Sequence, residues 1–524
     1  MKIACLLFVL CAVCTSQAQN QSNAIDVLNY ALTLELSDSH DTIFGTQNAT
    51  VNFKTDSNTF CLDLASVNNG KGMKVTAVTT TTGKDARFTH EANQLCISRA
   101  TADATGTYII HYKGIPKTGL IIGKNKFNER TFFGDNWPNR AHQWFPCLDH
   151  PADKASIQFT VIAPSNYKCI ATGVLKDAQT FQNGTTRHTF TSKIQLPTKV
   201  MVIGLADFET KQLEHTLNFP VDIWAYKKDA ENGFKDMAVA TNVVDYFVAT
   251  IGPYPFEKLS NVQSTTQFGG MENAGNIFYD ENAVNGQQEM EALIAHEIAH
   301  QWFGNSASES DWKHLWLSEG FATYFTDLYF ENQYGTAAMN ERLKGERKKV
   351  IQFSKRYPHP VIDTTYASLM HLLNPHSYQK GAWVLHMLRT TIGDSAFFSG
   401  IRTYYTTYKF GNASSNDFQK CMQTSAGKDL TTFFDQWLRN AHHPELKIEL
   451  NTTNKNQLLT IEQLQDQNPF NVELEIEFTY TDQTTAIKQF TIDKKVQQFQ
   501  LPQKKIKTIN CDPNTKLLAE INTL

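Results

Sequence analysis

The feature that most constrains this chain is the run HEIAH, from His296 to His300. Apolar residues recur around it at helical spacing and no proline or glycine follows before Gly304, so the run is predicted to be helical. Residues four apart are neighbours on one helical face, which lets both imidazoles reach one zinc ion at about 2.0–2.1 Å. Glu297 can then lie beside the metal without binding it, as a general base acting on a water molecule requires.

A third metal ligand is predicted at Glu319, after 18 intervening residues (301–318). Glu319 lies in the segment LWLSEGFATY, from Leu315 to Tyr324, where Ser318 is predicted to cap a second helix. Two histidines and one carboxylate leave the fourth position of a tetrahedral zinc ion for water, as catalytic sites do. Taken alone, Glu319 would be an ordinary acid in a first helical turn, but its spacing from HEIAH favours one zinc ion per chain.

A glycine-rich segment precedes the predicted zinc helix and reads Gly269, Gly270, Met271, Glu272, Asn273. Glycines let a strand edge or loop approach a peptide backbone closely. The carboxylate of Glu272 could bind a cationic substrate amine. Without the neighbouring motifs, a simple glycine-rich turn would be the better interpretation.

Composition restricts the class of protein. Of the 524 residues 41% are hydrophobic and 19% charged, which is typical of a soluble globular protein of several domains. The net charge of −4 is small for this length and gives no indication of nucleic acid as a partner. The oligomeric state is not predictable from these features.

The N-terminus is predicted to be a signal peptide over residues 1–18, because Lys2 precedes a short apolar run and small residues precede Gln19. The protein is therefore expected to be secreted or periplasmic. No later stretch is long and apolar enough for an integral membrane segment. Outside the signal, Cys61 and Cys96 could form a disulfide, with buried free thiols as an equally supported alternative, and no C-x-x-C motif indicates a cysteine zinc site.

Three regions of different pattern follow the signal. Residues 19–208 show strand-like alternation, residues 209–441 become helical, and residues 442–524 return to strands. In the middle region apolar residues between Phe234 and Phe247 have helical spacing, and Gly252-Pro253 ends the run. The predicted strands are Val51–Phe53, Phe60–Leu64, Thr107–Tyr112, Ile157–Ile162, Val200–Ile203, Leu446–Leu450, Leu458–Leu464 and Val472–Tyr480.

The sequence resembles the aminopeptidase N and leukotriene-hydrolase family of zinc metallopeptidases, a gluzincin family with an HExxH-x18-E pattern. The chain resembles a short form, because it ends without the C-terminal helical domain of many members. The resemblance rests on five blocks spread over most of the chain: WFPCLDHP from Trp144, GGMEN from Gly269, HEIAHQWFGN from His296, LWLSEGFATY from Leu315 and YQKGA from Tyr378.

The resemblance implies a fold and a set of roles. The fold would be multidomain α/β, with an N-terminal antiparallel β domain, a thermolysin-like α+β catalytic domain and a small C-terminal β-sandwich. Glu297 would be the general base, Glu272 would bind the free α-amine of a peptide, and Tyr378 would stabilise the oxyanion. Without the resemblance, Tyr378 would be interpreted as a packed aromatic residue. The implied zinc ligands are His296, His300 and Glu319.

The implied activity is removal of the N-terminal residue from peptides. One departure concerns the amine subsite, because the segment Asn136–Arg140 lacks the Glu or Gln that the family often has there. One alternative is a thermolysin-type zinc endopeptidase, which would not need Glu272. The other is a catalytically inactive peptide-binding scaffold, against which the presence of every expected catalytic side chain argues.

Overall fold

The computed structural model describes residues 24–452 and 457–524. The predicted signal peptide lies outside these residues. A β-rich N-terminal part is followed by a mixed, largely helical part and by C-terminal strands, which confirms the multidomain α/β organisation at this level. The chain forms two compact units: the first contains residues to 312 with 367–370 and 405–414, and the second contains 313–366, 371–404 and 415–524. None of the described helices has the length and apolarity needed to cross a membrane.

The first unit begins with three sheets. A seven-stranded sheet has the order β12-β13-β10-β1-β2-β7-β4, a four-stranded sheet the order β11-β14-β9-β8, and a three-stranded sheet the order β3-β6-β5. Alternation along β1 buries Tyr30, Leu32 and Leu34 on one face, as the two-residue period of a strand requires. The strands are β1 (Ile25–Glu35), β2 (Ile43–Phe53), β3 (Thr59–Asp63), β4 (Gly72–Thr80), β5 (Phe88–Glu91), β6 (Gln94–Ser98), β7 (Thr105–Ile115), β8 (Leu120–Lys124), β9 (Arg130–Gly134), β10 (Ala155–Pro164), β11 (Lys168–Ala171), β12 (Val174–Thr180), β13 (Thr185–Leu196) and β14 (Ile203–Ala206).

Four of the five strands predicted in this region are confirmed, and the strand predicted at Val200–Ile203 is wrong. Residues 198–200 form a 3-10 helix, and β14 begins only at Ile203. Side chains form the hydrogen bonds of the backbone groups in this segment. The Asn136 amide donates to the carbonyls of Thr198 (2.9 Å) and Met201 (2.6 Å), and the Val202 N–H donates to the Thr172 hydroxyl (2.9 Å). Such bonds compete with a sheet ladder.

The cysteine pair left open by the sequence is a disulfide. Cys61 in β3 and Cys96 in β6 are directly opposite each other in the antiparallel pair and are bonded. The bond closes a stretch of 35 residues, and a cross-link of that span stabilises by about 3–4 kcal/mol in the chain-entropy account. The other four cysteines of the described residues are free thiols.

The first unit continues with a five-stranded sheet in the order β15-β16-β17-β19-β18, so that β18 is an edge strand. This sheet lies in the region whose pattern predicted helices. Its central strand β17 is buried at every position, and a strand covered on both faces shows no polar alternation. The helix predicted between Phe234 and Phe247 is two helices. The elements are β15 (Phe208–Gln212), β16 (Val221–Tyr226), α1 (Ala230–Asp236), α2 (Ala240–Thr250), β17 (Leu259–Ser264), β18 (Gly270–Met271), β19 (Asn276–Asp280), α3 (Glu291–Ala299) and β20 (Ser308–Glu309).

Beyond residue 313 helices come first and strands follow. The C-terminal strands form a four-stranded sheet, β26-β23-β22-β28, and a three-stranded sheet, β25-β24-β27, and the three strands predicted there are confirmed. The elements are α4 (Trp316–Tyr334), α5 (Thr336–Ser354), a π-helical turn (His376–Lys380), α6 (Gly381–Ile392), α7 (Asp394–Tyr408), β21 (Asn412–Ala413), α8 (Ser415–Ala426), α9 (Thr431–Phe434), a second π-helical turn (Asp435–Arg439), β22 (Glu445–Thr452), β23 (Gln457–Gln463), β24 (Val472–Tyr480), β25 (Thr485–Ile492), β26 (Val496–Leu501), β27 (Ile506–Cys511) and β28 (Glu520–Thr523).

Helices α4 and α6 of the second unit approach each other through two glycines. A Cβ atom at Gly320 would lie 2.8 Å from the Gly381 Cα and 3.2 Å from the Ser377 carbonyl oxygen. These are backbone atoms that cannot rotate away, so the contact requires glycine on both helices. The contact places the π-helical turn at 376–380 against the first turn of α4.

Substitution of Gly320 tests this packing. Gly320→Ala is expected to destabilise the second unit by about 1–3 kcal/mol, because the added methyl group overpacks a backbone contact. Gly345→Ala is the matched control, since Gly345 lies within α5 and nothing lies within 4 Å of its Cβ position; that variant should be more stable by about 0.5–1 kcal/mol. Thermal unfolding followed by circular dichroism measures both, and equal midpoints for the two variants would contradict the packing argument.

Candidate functional site

The two histidines of HEIAH occupy the end of α3, as predicted. His296 lies in its last turn, and His300 follows as the C-cap with helical backbone angles. The Nε2 atoms of the two rings are 3.1 Å apart, close to the spacing of about 3.3 Å between neighbouring ligands of a tetrahedral zinc ion. Nδ1 of His300 faces the carbonyl of Phe303 at 3.2 Å. A carbonyl can only accept, so Nδ1 carries the proton and Nε2 presents its lone pair.

Glu319 lies in the first turn of α4 and is 3% exposed. The predicted cap at Ser318 is wrong. The helix begins at Trp316, because the Leu315 carbonyl already accepts from the N–H groups of Ser318 (2.9 Å) and Glu319 (3.0 Å).

The histidines and Glu319 form a group that could bind a metal. The group consists of His296, His300 and Glu319. Two imidazole nitrogens and one carboxylate oxygen are donors that zinc takes in catalytic sites, and a carboxylate as buried as Glu319 suits a doubly charged ion. The residues therefore fit zinc by donor chemistry.

Glu297 faces the glycine-rich segment and is 4% exposed. A Cβ atom at Gly270 would lie 2.5 Å from the Glu297 Cδ, so that any larger residue here would displace this carboxylate. Burial raises the pKa of the neighbouring Tyr279 well above its ordinary value, and the Glu297 charge adds to the shift. Edge strand β18 and the carboxylate of α3 are thus in direct contact.

The chain that follows α3 holds the loop that carries Glu272. The Glu272 carbonyl accepts from the Gln301 side-chain amide (3.0 Å) and from the Asn305 amide. The Gln301 side-chain oxygen in turn accepts from the Gly275 N–H (2.9 Å). Sequence reasoning assigned no role to these two amides, although both stand in the block that begins at His296. We refer to Gln301 and Asn305 as the amide clamp.

The Glu272 carboxylate is buried, at 5% exposure, and its Oε1 has no hydrogen-bond partner among the described residues. Asp135, which is 1% exposed, lies near it. Burial raises the pKa of Asp135, Arg140 opposes this at 2.7 Å, and the Glu272 charge raises the pKa further. The Asp135 carboxylate is thus paired with the guanidinium and lies close enough to Glu272 for the two carboxylates to interact. Asp135 directly precedes the segment Asn136–Arg140, in which the family often has an amine ligand.

The remaining members of the glycine-rich segment form the sheet edge. Gly270 and Met271 pair with Tyr279 and Phe278 of β19, and the Gly269 carbonyl accepts from the Asp280 N–H at 3.0 Å. A Cβ atom at Gly269 would meet nothing closer than 3.8 Å, so Gly269 is not required by packing. Asn273 is fully buried, and neither polar atom of its side chain has a partner in the described part of the chain.

Tyr378 lies in the π-helical turn of the second unit and is partly exposed. The contact between Gly320 and Gly381 holds this turn against the helical turn that carries Glu319. Lys380 anchors the turn by donating to the His442 carbonyl at 2.9 Å, and burial lowers the pKa of Lys380 to about 7. Tyr378 and Glu319 are therefore on packed neighbouring segments, and the role of Tyr378 stays a prediction.

Metal content tests the His-His-Glu group. His300→Ala is expected to lower the bound zinc by about one ion per chain, because three protein ligands become two. Glu297→Gln is the matched control, since it changes the adjacent position of the same helix without removing a ligand, and it should keep its zinc. Elemental analysis of gel-filtered protein measures this. Wild-type zinc content in His300→Ala would contradict the ligand set.

Comparison with known proteins agrees with the motifs. The model of the peptidase M1 N-terminal domain matches residues 27–200, and that of the peptidase family M1 domain matches residues 236–437. Similar curated proteins include aminopeptidase A of Gloydius brevicauda, 28% identical over 70% of this chain and 41% of the relative. Probable aminopeptidase 2 of Sulfurisphaera tokodaii is 28% identical over 72% of this chain and 50% of the relative. Human glutamyl aminopeptidase is 28% identical over 62% of this chain and 36% of the relative. The matches to these relatives span half or less of the relatives' length. The two family models together match most of the chain, including HEIAH and Glu319: the chain belongs to peptidase family M1.

Proposed function

We propose that the protein is a zinc aminopeptidase that hydrolyses the N-terminal residue from peptides. The observation that carries the proposal is the buried Glu272 carboxylate, which has an oxygen without a partner among the described residues and lies on a clamped loop beside edge strand β18. An acid so placed suits an α-ammonium group, which only a peptide with a free N-terminus offers. Curated relatives named as aminopeptidases support the same reading.

One zinc ion per chain would be held by His296, His300 and Glu319. When bound, zinc supplies Lewis-acid chemistry that polarises a carbonyl oxygen and lowers the pKa of a water molecule. Glu297, as general base, would take the proton of the attacking water and pass it to the leaving amine. Its burial and its contact with Gly270 hold the carboxylate in one place, which proton transfer to a defined atom requires.

The amine subsite combines Glu272 with Asp135. Arg140 pairs with Asp135, and Glu272 has no ion pair among the described residues, so a substrate ammonium would neutralise the remaining negative charge. Burial makes this attraction stronger than in water. Edge strand β18, with Gly270 and Met271, offers backbone groups to an extended peptide, as strand addition at a sheet edge does. Tyr378 donates to the oxyanion of the tetrahedral intermediate in this proposal.

The proposal extends to domain organisation and location. Residues 19–208 form the N-terminal domain, 209–441 a thermolysin-like catalytic domain, and 442–524 a small β-sandwich, which the two C-terminal sheets support. The Cys61–Cys96 disulfide supports an oxidising compartment, in agreement with a signal peptide and with secretion or a periplasmic location.

The decisive experiment compares free and acetylated substrates. Glu272→Gln keeps the shape of the side chain and removes its charge, so kcat/KM for aminoacyl arylamides is expected to fall by about 10- to 100-fold, the value of a charge-assisted hydrogen bond. The N-acetylated arylamides should react slowly with both proteins and show little difference. Glu289→Gln, at an exposed acid, is the control.

The outcomes separate the alternatives. Equal losses on free and acetylated substrates would remove the exopeptidase argument and favour the thermolysin-type endopeptidase. If the zinc-loaded wild-type protein hydrolyses neither aminoacyl arylamides nor blocked peptides, the remaining interpretation is the inactive peptide-binding scaffold.

A second experiment uses the two neighbouring glycines. Gly270→Ala is expected to lower kcat by about tenfold or more, because its methyl group displaces Glu297 and small misplacements of a catalytic group are costly. Gly269→Ala is the matched control, since its nearest neighbour would be Leu293 at 3.8 Å, and it should stay near the wild-type rate. Normal turnover in Gly270→Ala would show that Glu297 is not held by this contact.

A further inference from the structure

A second group of potential metal ligands lies in the second unit, where β22 and β28 begin. Glu445 and Glu520 are the first residues of these parallel strands and are directly opposite each other. His443 stands two residues before Glu445, and its position before Pro444 favours an extended backbone. Side chains two apart on an extended chain share a face. The ligand atoms of the three residues lie within 4.8 Å of one another.

His443 distinguishes this group from an ordinary acidic cluster. The residue is 2% exposed, and among the described residues neither ring nitrogen has a hydrogen-bond partner. A buried polar group without a partner is costly, and the imidazole lies at the two carboxylates. A partner for a ring nitrogen is therefore to be expected on the side of Glu445 and Glu520.

The charge of the group points to a cation. Like charges directly opposite on neighbouring strands destabilise a sheet. The nearby Lys355 ammonium lies 2.7 Å from Glu520 and interacts electrostatically with Glu445, but its side chain is 52% exposed, so that water screens it. The half-exposed ammonium thus balances one of the two negative charges, and a divalent cation that takes its place would balance both.

We propose that His443, Glu445 and Glu520 bind a divalent metal ion, with zinc as the best match to one imidazole and two carboxylates. Imidazole and carboxylate are both established zinc ligands, and manganese shares the oxygen ligands. Both glutamates are partly exposed, so water can complete the coordination. This ion is separate from the one assigned to HEIAH and does not depend on the proposed peptidase activity.

The ion has a structural role. It joins the start of β22 to the last strand, β28, and it fixes the segment 442–445. The His442 carbonyl in this segment is the acceptor for Lys380, which stands two residues after Tyr378. Metal at this position therefore steadies the anchor of the turn that carries Tyr378.

The test uses full-length protein in which His296→Ala and His300→Ala remove the first site. Titration with zinc chloride, measured by calorimetry, should show that this variant still binds about one zinc ion per chain. Elemental analysis checks the same number. Adding Glu445→Gln should abolish that binding. Adding Glu449→Gln is the matched control, because Glu449 lies on the same strand and face and pairs with Lys447 at 2.7 Å, and it should leave binding unchanged. Manganese chloride serves as the second probe.

The Lys355→Met variant distinguishes between three interpretations of this group: a metal site, an ion-pair cluster and a pocket for water. Removing the competing ammonium should tighten zinc binding several-fold and enlarge the rise in Tm that zinc produces. No binding in the two-histidine variant, equal binding in the Glu445→Gln and Glu449→Gln proteins, or unchanged affinity in Lys355→Met would overturn the proposal. If Glu445→Gln fails to fold, the titration of Lys355→Met decides alone.

Discussion

The hydrogen bonds that the amide clamp donates to the Glu272 carbonyl are the interaction on which the site depends. They join the chain after α3 to the loop after β18. The positions of the histidines and Glu297 are thereby fixed relative to that of Glu272. Each such bond contributes about 0.5–1.5 kcal/mol, and losing one would leave a buried amide unsatisfied. Because the bonds go to the backbone carbonyl of Glu272, its side-chain carboxylate does not take part in holding the loop.

The first unit also concentrates negative charge around this junction. Asp135, Glu272 and Glu297 are all buried, and Arg140 forms an ion pair with Asp135 at 2.7 Å. Buried carboxylates are stable only with compensating charge or hydrogen bonds. A structure that keeps them together is suited to bind cations, and the two cations of the proposed reaction are a metal ion and a substrate ammonium.

Local patterns predicted the parts of the molecule that are locally determined. HEIAH could be placed on a helix because the helical period brings His296 and His300 together, and strands such as β24 could be predicted because one face is buried. The sheet around β17 could not be predicted from periodicity, since burial on both faces removes the alternation. The roles of Asp135 and the amide clamp could not be predicted for another reason. Their contacts join residues far apart in the chain, and such contacts leave no periodic pattern in the local sequence. Tyr378 was identified through family resemblance alone.

The shortness of β18 has a consequence for the protein's behaviour at high concentration. An open sheet edge is a place where a second chain can add, and long exposed edges promote aggregation. The strand contains only Gly270 and Met271, and the amide clamp ties down the loop on its C-terminal side. Two residues offer too few backbone groups to hold another folded protein's strand in register. The edge to which a peptide adds in the proposed function is thereby kept too small to nucleate assembly.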